Sequence, residues 1–319
     1  MQNPLVSVII SSYNQREFIE DAIMSVLTQT YQNIEIIVID DASTDDSQQI
    51  VKQILSSSLE KGRMRLIQKE NNEGVTYSRN IGLLEAVGDY ICFLDGDDLY
   101  LPEKIATQVG FMEKHQGLAI SYHDADVFDS ISGKSLFLYS GRFGAGNGTA
   151  HDLISKGMYC HFGSLMFRRE SVVSHHFDTQ VRIVDDWLFT VDVLMPGNQD
   201  VFYIDEVLSK YRRHSTNITL NWEDKTYQNL KALNIMESRY KTAKFSIRAR
   251  KAELYFILTV FSFMKRDLPS ALRGVFNYLK YSIPNPFRFM RILRREMKFF
   301  SANDYQFDIL TKSLWETDF

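Results

Sequence analysis

Over the first hundred residues, short β-branched apolar runs alternate with stretches whose apolar positions recur every three or four residues. Residues 5–11 (LVSVIIS) predict a strand, followed by a polar loop at Ser12, Tyr13 and Asn14. Phe18, Ile19, Ala22, Ile23, Val26 and Leu27 repeat at helical spacing. Residues 34–39 form a nearly continuous apolar run, the pattern of a parallel strand covered on both faces. Ser43 or Thr44 is placed to cap the next helix, with Ile50, Val51, Ile54 and Leu55 on its core face. A third strand over 63–68, a helix over 76–87 and a strand from Tyr90 complete the series. Strands and helices in alternation with short connections predict a parallel sheet with right-handed crossovers.

The pattern loosens after about residue 117. Strands are expected at 118–122, 164–167 and 201–204, and the glycine-rich stretch 141–148 predicts a mobile loop. Beyond about 223 the chain turns helical, with Phe256, Leu258, Val260 and Phe263 in one long apolar helix and Pro269, Pro284 and Pro286 punctuating the later ones. The expected organisation is an α/β domain over 1–222, in two parts of about 1–116 and 117–222, then a helical region over 223–319.

Polar clusters sit where the strands should end. Residues 11–14, Asp40 with Asp41, and Asp95 with Asp97 and Asp98 all fall at carboxyl ends, the rim where open α/β sheets bind ligands. Asp95, Gly96, Asp97 and Asp98 crowd three carboxylates around one glycine directly after an apolar strand. Like charges so close disfavour joint ionisation unless a cation sits among them. A hard divalent ion, Mn²⁺ or Mg²⁺, takes oxygen ligands and commonly brings substrate phosphates with it. No GxGxxG follows the first strand and no GxxxxGK[ST] occurs anywhere, so neither a dinucleotide fingerprint nor a P-loop is present.

Composition narrows the classes. Hydrophobic residues make up 45% and charged residues 24%, enough for a sizeable core, and the formal charge of −4 argues against nucleic acid as a partner. Cys92 and Cys160 are too few for a disulfide framework, which fits a reducing cytosol. The first apolar run is too short for a signal sequence and the longest, 254–264, is too short to span a bilayer. A cytoplasmic protein is expected. Residues 286–300 (PFRFMRILRREMKFF) interleave Arg and Lys with Phe, Met, Ile and Leu, a pattern that suits either a helix packed on the domain with a solvated basic face or peripheral contact with the membrane's inner face.

In this order, the stretches "VSVIISSYNQREFIEDAIMSVLTQTYQNIEIIVIDDASTD", "NEGVTYSRNIGLLEAVGDYICFLDGDDLYLPEKI" and "VDDWLFTVDVL" resemble the family 2 glycosyltransferases of GT-A fold. The resemblance covers roughly residues 4–217 and implies a nucleotide-binding part over about 1–116, an acceptor-binding part over about 117–222, and inverting transfer of one sugar from a nucleotide-sugar donor, a UDP-sugar, with a divalent metal as cofactor. It implies that Ser11, Tyr13 and Asp41 line the pocket for the base, that Arg79 lies near the base or diphosphate, and that Asp95 faces the ribose. Asp97 and His214 would contact the metal, and Asp98 extends the motif. The family's Glu-Asp pair, source of the general base, is here Asp185 and Asp186, which leaves open which carboxylate acts. Residues 159–164, with His161, are expected beside the acceptor pocket. The implied acceptor is a glycan or lipid-linked glycan of a bacterial surface polysaccharide, and the absent Gln-X-X-Arg-Trp motif argues against processive synthesis. Two rivals are a nucleotidyltransferase, which needs a basic glycine-rich loop where Ser12 to Gln15 stand, and an inactive sugar-nucleotide-binding assembly partner.

Overall fold

The computed structural model describes residues 3–57, 63–197 and 199–282. It divides into two compact units, the break falling between Ala243 and Lys244. In the first unit, strand β1 (Val6–Ser12) leads to helix α1 (Ile19–Leu27), then β2 (Ile34–Asp40), α2 (Ser47–Ser57), β3 (Met64–Gln68), α3 (Val75–Glu85) and β4 (Tyr90–Asp95). β1 pairs in parallel with β2 on one side and β4 on the other, and β2 with β3. All seven residues of β1 are buried, as befits the middle strand of a doubly covered sheet. Ile19, Ala22, Ile23 and Val26 of α1 pack on one face of it, so the expected apolar stripe is the buried one.

The remaining elements widen the sheet. They are β5 (Leu99–Tyr100), α4 (Lys104–Lys114), β6 (Ile120–Asp129), β7 (Ser135–Leu138), α5 (Tyr139–Phe143), β8 (Gly148–Thr149), α6 (Ala150–Lys156), β9 (Met166–Arg168), α7 (Arg169–Val172), α8 (Asp185–Leu194), β10 (Asp200–Arg213) and α9 (Trp222–Arg239). The strand order is β3-β2-β1-β4-β9-β6-β10-β5. β9 runs antiparallel between β4 and β6, while β6 and β10 are parallel. The chain leaves β1 toward β2 and returns on its other side as β4. The crevice at these carboxyl ends is therefore a topological switch point, where such sheets take ligands.

Several expectations shift in detail. α2 starts at Ser47, and Asp45 rather than Ser43 or Thr44 accepts the Ser47 amide at 3.0 Å. Ser43 is instead spent on Asp40 and on the Asn14 amide. The 141–148 stretch is no simple loop, since α5 runs to Phe143 and β8 begins at Gly148. β6 and β10 reach well past the expected 118–122 and 201–204. Buried polar residues such as His123 and Asp124 mask the apolar pattern in β6, and register shifts between Ile204 and Ser209 break the alternation in β10. The break at Ala243 leaves α9 in the first unit, beyond the expected limit at 222. Ion pairs account for that: Arg239 bridges Asp178 and Asp192, and Arg182 meets Asp224 at 2.8 Å.

The second unit, over its described part, is a pair of helices, α10 (Lys244–Met264) and α11 (Leu268–Tyr281). Among the described residues no helix is long and apolar enough to cross a membrane. Residues 286–300, suited in sequence to touching one, lie outside the described residues. Cys92 and Cys160 are both free and buried.

Candidate active site

The loop after β1 is pinned to the loop after β2. Asn14, in the left-handed region at φ 51°, donates its amide to Ser43 Oγ (2.9 Å) and accepts the Thr44 amide on Oδ1 (2.8 Å). Asn tolerates that conformation better than most residues. Ser11 is buried and paired in the sheet, and Tyr13 stands 44% exposed at the rim, open to stacking. Asp41 is 3% exposed and already busy: it accepts from Lys69 Nζ (2.5 Å) and from the Glu73 (3.0 Å) and Gly74 (2.7 Å) amides. Of roughly four acceptor positions on a carboxylate, these three hold the loop before α3. The expected contact with a base's N–H edge has one position left to it.

Gly96 sets the depth of the acidic turn. A Cβ there would stand 2.2 Å from Gln15 Oε1 and 3.1 Å from the Ser11 carbonyl oxygen. The Gly96 amide donates to that same carbonyl at 2.9 Å, tying the end of β4 to the end of β1.

Arg79 lies where two halves of the site meet. It is 5% exposed, donates through Nη1 to both Asp185 oxygens (3.0 and 3.1 Å) and through Nη2 to Asp95 (2.9 Å), and its guanidinium lies 4.7 Å from the Phe162 ring centre. Burial alone would lower its pKa, but the Asp185 and Asp95 carboxylates prevail and hold it charged. A guanidinium so enclosed bridges α3, β4 and α8.

The Asp185 and Asp186 pair thereby splits into unequal partners. Asp185 is 1% exposed and ion-paired to Arg79, with burial pushing its pKa upward. Asp186 is partly exposed and takes a hydrogen bond from the Trp187 amide (2.7 Å). Among the described residues it forms no ion pair, and burial together with the Asp185 charge raises it to about 6. A carboxylate near that value is ionised at neutral pH and still basic enough to accept a proton.

Asp97 meets residues that follow β10. Its Oδ2 lies 2.9 Å from His214 Nε2 and 3.5 Å from Asn217 Nδ2. Asn217 Oδ1 accepts the His214 amide at 2.8 Å, which turns its NH₂ group toward the other two. Two donor atoms 2.9 Å apart have the spacing of neighbouring ligands about one small cation. Among the described residues no group of three His, Cys, Asp or Glu converges to hold a metal. One carboxylate and one imidazole are a mixed set rather than the all-oxygen shell usual for Mg²⁺, and phosphate oxygens and water would have to supply the remaining ligands of any ion held here.

Other participants escaped the sequence reading. Arg212 donates through Nε to the Asp97 carbonyl (2.8 Å), through its amide to Asp98 (2.9 Å) and through Nη2 to Asp21 (3.0 Å), stapling β10 to the acidic turn. His161, set beside the acceptor region by its sequence position alone, has Nε2 3.2 Å from Asp98. Its burial works to lower its pKa, and the Asp98 contact raises it. Asp98 is itself buried and shifted upward, first by burial. Only the residue types were visible beforehand, since these partners sit far apart in the chain. A separate concavity, lined by Leu5, Asp89, Tyr90, Glu113 and Arg168, lies at the amino ends of β1 and β4, away from these groups.

Comparison with known proteins bears on the family and the fold. Residues 7–173, more than half of the chain, match the family described as "Glycosyl transferase family 2". A Haemophilus influenzae glycosyltransferase is 29% identical over 246 residues, covering 75% of this chain and 94% of that protein. An Escherichia coli "UDP-Glc:alpha-D-GlcNAc-diphosphoundecaprenol beta-1,3-glucosyltransferase" (WfaP) is 45% identical over 111 residues, 34% of this chain and 41% of its own length. Among solved structures, Staphylococcus aureus TarS in complex with UDP-GlcNAc superposes with a TM-score of 0.65 at 16% identity, over 87% of this chain and 81% of that one. The mannosyltransferase PcManGT of Pyrobaculum calidifontis, in complex with GDP-Man and Mn²⁺, gives 0.62 at 17% identity, over 100% and 89%. With its carboxylate rim at the β1/β4 switch point, this chain belongs to glycosyl transferase family 2, as an enzyme of GT-A fold.

Proposed function

We propose that the protein inverts the anomeric centre of a UDP-sugar in a single displacement, moving one sugar to a glycan or lipid-linked glycan during bacterial surface polysaccharide synthesis. The observation that carries this reading is the asymmetry between Asp185, neutralised by Arg79, and Asp186, without an ion-pair partner among the described residues and raised to about 6. One base without a dedicated nucleophile is what an inverting displacement needs. Asp186 takes the proton as the acceptor hydroxyl attacks, a contribution of about 10²–10⁴-fold. Asp185 and Arg79 hold the α8 terminus in place and keep a second charge from competing for that proton.

Tyr13 stacks on the base, Ser11 and Asp41 form the floor beneath it, and Asp95 faces the ribose while anchored by Arg79. Asp97 and His214 would hold Mn²⁺ or Mg²⁺, which when bound neutralises the leaving diphosphate as a Lewis acid. The choice of UDP and of a diphosphate-linked acceptor is supported by the relatives named for UDP-Glc and GlcNAc-diphosphoundecaprenol. Such an acceptor would bring the enzyme to the inner face of the cytoplasmic membrane. The test is release of UDP from a panel of UDP-sugars with and without Mn²⁺. Asp97→Ala should abolish metal-dependent release, whereas Asp186→Asn should keep donor binding and lose transfer. Normal transfer by the Asp186 variant would remove the base from this scheme.

A further inference from the structure

In the second unit, α11 covers only part of its apolar surface. Asp267 caps the helix by accepting the Ser270 amide at 3.1 Å, with Pro269 in the first turn. One side packs on α10 through small residues. Ala271 is 2% exposed, and a Cβ on Gly274 would stand 2.4 Å from Thr259 Oγ1 and 3.1 Å from Thr259 Cα, so glycine permits the close crossing. Tyr278 and Tyr281 extend this seam against Phe256 and Tyr255, and Arg248 donates to the Lys280 and Tyr281 carbonyls at 3.2 Å.

The neighbouring side is bare. Leu268, Leu272, Val275, Phe276 and Leu279 follow one another at steps of four, three, one and three, which puts them on a single stripe. They are 41–71% exposed, an unusual state for five large apolar side chains in a row. Phe263, near the end of α10, adds another at 68%. Lys265 and Arg266 lie just before the stripe, and Arg273 and Lys280 stand along one edge of it. Against these four cations residues 265–282 hold one carboxylate, Asp267, which is occupied as the cap.

We propose that this stripe is a docking surface for an anionic lipid bilayer, lying in the headgroup layer with its cations toward lipid phosphates. A leucine and phenylalanine face bordered by lysine and arginine is the pattern of helices that lie in the interface plane. A second copy of the chain fits less well, because it would double the same-sign charge along the seam. The surface is separate in sequence from residues 286–300. It deepens the acceptor side of the transferase reading yet stands apart from it, since vesicle binding is measured without catalysis.

The experiment is co-sedimentation of the full chain with vesicles of mixed phosphatidylglycerol and phosphatidylcholine, and of phosphatidylcholine alone. Wild type should pellet with the anionic vesicles. Leu272→Glu with Phe276→Glu should weaken that binding at least tenfold, and Arg273→Glu with Lys280→Glu should erase the preference for anionic lipid. Solution hydrolysis of the donor and the thermal midpoint should be unchanged in both double variants. Three results would overturn the proposal: no binding by wild type, wild-type binding by the Leu272/Phe276 variant, or a wild-type dimer that this variant dissociates. Loss of donor hydrolysis in wild type would strike the transferase reading and leave the vesicle result standing.

Discussion

Asp185 and Asp186 are neighbours in sequence with opposite electrostatic fates, because Arg79 reaches one of them from 106 positions away. Removing the guanidinium should be costly in stability, since it strands Asp185 as an uncompensated buried charge, whereas Asp95, with 38% of its side chain exposed, is left to water. Arg79→Ala is expected to lower unfolding free energy by roughly 3–5 kcal/mol, read by urea denaturation. The proposed base, Asp186, predicts a pH signature. Asp186 must be ionised to accept a proton, and its pKa is raised to about 6. Transfer should therefore be lost on acidification through about pH 6, well above where an ordinary carboxylate would titrate, and an initial-rate pH profile measures it. The residue types of this site were legible beforehand, as carboxylates after apolar strands. Their pairings were not. His161 looked like an isolated histidine because Asp98 lies 63 positions upstream, and Arg79 could be read for a carboxylate or a phosphate because Asp185, its partner on α8, lies 106 positions away.

At the scale of elements, β1, α1 and β2 follow from periodicity because each is covered on its expected face. Legibility fails where polar residues are buried or register slips, as in β6 and β10, and where a cap is chosen by tertiary partners. Ser43 satisfies a capping preference in sequence, yet Asp40 and Asn14 claim it. The junction between β1 and β4 depends on Gly96, and Gly96→Ala tests it. The Gln15 tip can swing aside, but the Ser11 carbonyl is fixed in the sheet. The variant should lose about 1–3 kcal/mol, the usual range for overpacking, and bind donor more weakly because the acidic turn is displaced. Thermal unfolding with and without UDP-sugar separates the two effects.

For the molecule as a whole, alternation of strand and helix was enough to place the fold class, whereas the break at Ala243 rests on ion pairs among α8, α9 and the 178–182 segment that no periodicity announces. Because Asp97 and His214 come from distant segments, Mn²⁺ with nucleotide should stabilise the first unit as one body. At a hundred times the dissociation constant the gain is about 2.7 kcal/mol. A thermal-shift assay should show that gain in wild type and lose it in Asp97→Ala. The order of the segments has a further consequence for synthesis in the cell. His214 follows Asp97 by 117 positions and comes directly after β10, the last strand in the chain. A nascent chain can thus complete β1 to β4 before the segment that carries His214 has left the ribosome, so the carboxylate rim is laid down first and the imidazole of the proposed metal site reaches it only with β10.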